Sequence, residues 1–71
     1  MNVSEYVHAP FEIPFAETAV AKARSLNLEP EMVDVSVIDK DNWVAKVGCD
    51  GCIALFLEIK NGKEVEVRQW P

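Results

Sequence analysis

Two thiols in this chain stand three residues apart, in Cys49-Asp50-Gly51-Cys52. That spacing brings both sulfurs to one tight turn, the arrangement of half a zinc knuckle. A closed structural zinc site needs four ligands, and no second cysteine pair exists. His8 is the sole histidine; Asp50 or a glutamate could contribute, or two copies could pool their pairs. A redox pair of the thioredoxin kind draws its reactivity from a helix N-terminus that lowers the thiol pKa. Here Cys52 opens IALFLEI, which reads as a strand. Three readings follow for Cys49 and Cys52: a plain turn with reduced thiols, a zinc site, or a redox pair that closes to a disulfide under oxidising conditions.

Other chemistry is sparse. Glu58, Glu64 and Glu66 gather on one side of the predicted sheet, with Glu58 and Glu64 expected face to face. Like charges so placed are mildly destabilising and raise a carboxyl pKa. The alternative is a solvated acidic patch, since nothing in the pattern builds a cleft around it. No nucleophile has a base at useful spacing, and no glycine-rich phosphate loop is present. A lone histidine lacks partners for proton transfer. The expectation is a protein without catalytic residues and without a cofactor.

The chain has 71 residues, 49% apolar and 27% charged, with a net charge of −5. This is the composition of a folded domain. A domain this small buries roughly 60% of its unfolded surface and gains from dense packing, a metal or a second copy of itself. Scattered basic residues and an acidic balance speak against direct binding to a phosphate backbone. The first residues, MNVSEYVH, lack a basic start and an apolar stretch, so no signal peptide is read and a cytoplasmic location is expected. The apolar run Ile53 to Leu57 is far too short to span a bilayer.

The elements that position these residues come next. Residues 1–13 suit an extended arm or a short strand. Pro14 opens a helix whose apolar stripe holds Phe15, Ala16, Ala19, Val20, Ala23 and Leu26. Lys22 and Arg24 fall near its C-terminus, where cations suit the dipole. Asn27 can take a left-handed cap, Leu28 can fold back, and Pro30 prevents continuation, which gives a helix over 14–28.

Four strand-like runs fill 32–70, separated by Lys40-Asp41-Asn42, Cys49-Asp50-Gly51 and Lys60-Asn61-Gly62. Each triplet suits a three-residue hairpin loop. A two-residue Asn61-Gly62 turn would set Leu57 against Glu66 and mix the faces. The three-residue loop sets Leu57 against Val65 and Leu55 against Val67, and the hydrophobic pattern selects it. The same rule pairs Val47 with Ile53, Ala45 with Leu55, Trp43 with Leu57, Val37 with Ala45 and Val35 with Val47. The predicted fold is α+β, one domain: a helix on a four-stranded antiparallel meander, with Ala45 as the small residue beneath the helix.

That register assigns the opposite face too. It carries Asp34, Ser36, Lys46, Glu58, Glu64, Glu66 and Arg68, as a wet face should. It also carries Ile38, Val44 and Phe56 in a row, with Trp70 nearer the edge. An apolar cluster on the solvent side has two main explanations. Either Tyr6, Val7 and Phe11 of the arm fold over it, or a partner does.

The stretches FAETAVAKARSLNL, VDVSVIDKDNWVAKV and LFLEIKNGKEVEV resemble a PepSY domain. The likeness lies in an alanine-rich helix, a strand ending in acidic turn residues, an aromatic-led second strand and an E-I-x-x-G-x-V closing hairpin. It covers most of residues 14–69. The resemblance implies a non-catalytic regulatory module, in that family often tied to the modulation of peptidases. The Cys pair and the lack of a signal depart from the family pattern.

The residues themselves point the same way: a small acidic protein that binds a protein partner or a second copy of itself. Its surface would be Ile38, Val44, Phe56 and Trp70, rimmed by Lys46, Glu58, Glu64, Glu66 and Arg68. An inhibitor of a larger protein, including one that mimics nucleic acid, fits the same description. The alternative is a zinc or redox module built on Cys49 and Cys52.

Overall fold

The computed structural model describes residues 1–70, Trp70 by its backbone alone. One helix, α1 (Ile13–Ser25), lies on a four-stranded antiparallel sheet. Strands β1 (Pro30–Asp39), β2 (Asn42–Cys49), β3 (Ile53–Lys60) and β4 (Lys63–Trp70) stand side by side in chain order. This is the expected α+β meander. Among the described residues no helix is long and apolar enough to cross a membrane.

The helix forms for the anticipated reasons and is slightly shorter than 14–28. Pro14 sits in its first turn, where a missing N–H costs nothing. At the other end Asn27 adopts φ 62°, and the Asn27 and Leu28 amides donate to the Arg24 and Ala23 carbonyls, both at 3.0 Å. These two bonds are the Schellman cap, and they satisfy carbonyls the helix would otherwise leave open. Leu28 then packs against the core. Ala16, Ala19 and Ala23 are fully buried against β1 and β2, with Ala45 all but fully buried on the sheet. Small side chains on both surfaces bring the helix backbone close to the strands. Beside this contact Phe15 meets Trp43 edge to face, ring centroids 5.4 Å apart, a favoured aromatic geometry.

The arm is not a strand, and it leaves Ile38 exposed; Tyr6 lines a hollow with Met32, Gly48 and Ala54 at the other end of the sheet. The arm makes two 3-10 turns, Val3–Glu5 and Pro10–Glu12, both against α1. Val3 and Val7 pack on the core, while Tyr6 and Phe11 stay exposed. The buried Glu12 carboxylate accepts the His8 amide at 2.8 Å and ties the arm down. A short run of 3-10 turns has no hydrophobic period, so the sequence could not reveal it.

The faces of the strands are as predicted except at Glu64, but every hairpin is displaced by two residues. Val35 pairs with Ala45, Val37 with Trp43, Ala45 with Leu57, and Val47 with Val33 and Leu55. Leu57 pairs with Val67, and Leu55 with Gln69. The first turn is Lys40-Asp41 rather than a triplet, because Asn42 already pairs with Asp39. The Asp39 carboxylate holds this turn, accepting from the Asp41 amide and from Asn42 Nδ2, each at 2.8 Å. The second loop is Asp50-Gly51-Cys52, closed by the Cys49–Ile53 pair, with Gly51 at φ 74° and Cys52 at φ 63°.

The third turn corrects the parity argument most directly. Asn61 (φ 54°) and Gly62 (φ 76°) are both left-handed, and Lys60 pairs with Lys63. That is a two-residue turn of type I′, the form whose twist matches the strands. The odd residue is instead absorbed as a β-bulge: Ile59 pairs with Glu64 and Glu58 with Glu66, leaving Val65 extra. Beyond the bulge the apolar face is restored.

The two turns at this end of the sheet are bonded to each other. The Asp41 carbonyl accepts the Gly62 amide at 2.9 Å, and Asn42 Oδ1 accepts the Asn61 amide at 3.1 Å.

Candidate functional site

The alternation of β1 to β4 puts three rows on the face away from the helix. Asp34, Lys46, Phe56 and Arg68 form one; Ser36, Val44, Glu58 and Glu66 the next; Met32, Gly48 and Ala54 the third. Val44 and Phe56 therefore sit in adjacent rows, not in one row with Ile38 as expected. Both are half-buried, shielded by their neighbours on the sheet. Ile38, at the end of β1, is 86% exposed. Trp70 enters the third row by its backbone pairing with Ala54; its side chain lies outside the described residues.

Glu64 does not belong to this surface. The bulge turns it to the helix side, where its carboxylate meets Lys22 Nζ at 3.2 Å. The carboxylates that do face each other are Glu58 and Glu66. Arg68 relieves that pair by bonding Glu66 Oε2 at 2.8 Å. A shallow hollow of ≈ 250 Å³ opens at the end of the sheet, lined among others by Ser36, Ile38, Val44 and Glu58. The surface thus has an apolar centre and a rim of both charge signs, Lys46 and Arg68 against Asp34, Glu58 and Glu66.

The two thiols part company at the second loop. Cys49 ends β2 buried on the helix side, and Cys52 is exposed at the last position of the loop. Burial, reinforced by the carboxylates of Glu31, Asp50 and Glu29, pushes the Cys49 thiol up from its ordinary value. It is held as a thiol, and the thiolate is the form that attacks and ligates. Among the described residues no three Cys, His, Asp or Glu side chains stand close enough to share a metal ion.

Glu31 and Asp50 form a second acidic pair. Hydrogen bonding to Asp50 and repulsion from its charge raise the Glu31 carboxyl above its ordinary 4.5. The proton Glu31 holds beside Asp50 stabilises the fold below that ordinary value, and the benefit is lost as pH rises through the raised one. Glu31→Gln keeps a neutral donor at every pH. It is expected to melt at a higher temperature than wild type at pH 7 and at the same temperature near pH 4. Circular dichroism melts of both chains at the two pH values check this, and equal midpoints at pH 7 would refute it.

Comparison of the chain with family models, with curated proteins and with solved structures gives no match.

Proposed function

We propose that the protein is a non-catalytic interaction domain that binds a protein partner through the outer face of its sheet. The observation that carries this is the exposed Ile38, which lines a hollow with Val44 at the end of the sheet, an apolar spot whose lining includes no residue of the arm. Burial of apolar surface drives association, and a charged rim sets orientation and choice of partner. Lys46, Glu58, Glu66 and Arg68 supply that rim, arranged so that a partner must match both signs. The order of elements, a helix and then a meander closed by Asn61-Gly62, is in keeping with the PepSY resemblance and with the regulatory role it implies.

The test is Ile38→Asp, a change at a side chain that supports no core. Immobilised wild-type and variant chains are used for capture from a native extract, and each captured species is then titrated against both purified chains. A species bound by wild type and weakened about tenfold or more by Ile38→Asp is the expected result, the loss typical of an apolar anchor. Equal affinity for both chains, or no bound species, would overturn the reading.

A further inference from the structure

We infer that the protein also pairs with a second copy of itself along the free edge of β4, in one defined antiparallel register. This surface is distinct from the outer face.

The helix packs chiefly on β1 and β2 and reaches β4 with Lys22. Val65 is 54% and Val67 39% exposed there, although their faces belong to the apolar side of the sheet. The other edge is less accessible. Lys22 reaches from one flank of α1 toward Glu64 on β4, so that flank faces β4. Met1, Asn2 and Val3 lie against Glu17, Val20, Ala21 and Arg24, on the opposite flank. The arm therefore occupies the β1 side, in the layer where a second copy's helix would have to sit. Among the described residues, neither arm nor helix lies in that layer beyond the free edge of β4.

Strand β4 is self-complementary. In an antiparallel pair centred on Val67, Val67 meets Val67 of the second copy and Val65 meets its Gln69. Glu66 meets the second copy's Arg68, and Arg68 its Glu66. A slip of one residue would set outer side chains against inner ones. A slip of two sets Glu66 against Glu66, or Arg68 against Arg68, and like charges directly opposite disfavour pairing. Only the register centred on Val67 places opposite charges together at both positions. Each Glu66 would then lie between its own Arg68 and that of its neighbour. Main-chain hydrogen bonds along the edge supply the remaining attraction. The bulge limits the pairing to the stretch from Val65 onward, so the contact is small and the dimer weak.

Sedimentation velocity of the full chain from about 50 µM to about 2 mM, the range that populates a small interface, tests this. The weight-average mass is expected to climb from 7.9 kDa toward twice that value. Glu66→Arg and Arg68→Glu, both at positions outside the core, should each weaken self-association about tenfold by turning two attractive pairs repulsive. The double variant Glu66→Arg/Arg68→Glu restores the pairing and should associate like wild type. Ile38→Asp should associate like wild type as well, which separates this edge from the outer face. A monomer at every concentration, a double variant no better than the single ones, or loss of the dimer in Ile38→Asp would each overturn the inference.

Discussion

Leu55→Ala is expected to lose about 3 kcal/mol of stability and to leave much of the chain unfolded in mild denaturant. Leu55 has no exposed surface and lies in mid-sheet, between Val47 on β2 and Gln69 on β4. Truncating a buried leucine costs about 2–5 kcal/mol, because the lost transfer energy is joined by the cavity left behind. A chain of 71 residues has only about 4–10 kcal/mol to lose, at the usual stability per residue. One core position therefore carries a large share of the total. Urea unfolding followed by tryptophan fluorescence measures it, and a loss below about 1 kcal/mol would mean that the sheet closes over the gap.

Ala19→Leu is expected to lower the melting temperature by roughly 10–20 °C. Ala19 is fully buried where the helix approaches the strands, among Ala16, Ala23 and Ala45. Extra carbons there must lift the helix, since the space between helix and strands at this point is sized for alanine. Overpacking of this kind costs about 1–3 kcal/mol, and each kcal/mol shifts the midpoint of a domain this size by about 4–8 °C. Ala21→Leu is the control: Ala21 is exposed on the same helix, and its midpoint should stay within a few degrees, on the order of the usual effect of surface changes. If both variants melt alike, the close approach of helix and sheet is not what limits stability.

The two positions differ in how readable they were. The alanine stripe and the left-handed Asn27 are written in local spacing, so the helix and its cap could be placed from the chain alone. The sheet was readable only modulo two. Side chains alternate with a period of two, so sliding a strand by two residues leaves every one of them on its face. The pattern therefore sorted Leu55 and Ala45 to the core and Val44 and Phe56 to the outside. It paired Ala45 with Leu55 where the structure pairs it with Leu57. Glu64 was lost for a related reason: a bulge changes the count inside a strand, and a type I′ turn plus a bulge mimics the parity of a three-residue loop. Asn42 was read as a turn residue. Its second role, as acceptor for the Asn61 amide, depends on two turns meeting in space, which no local pattern encodes.

That last contact bears on how the chain folds. Each hairpin can form by itself within microseconds. The bond from Asn61 to Asn42 spans 19 residues and lies just beyond the Trp43–Ile59 pair, so it closes only once β2 and β3 are in register. The Asp41 carbonyl and the Asn42 side chain thus gain these bonds from the central hairpin, across its open end. A hairpin of β1 and β2 alone holds neither bond, and nor does one of β3 and β4. The end of the sheet with Asp41 and Asn61 thereby fastens the two outer turns to each other.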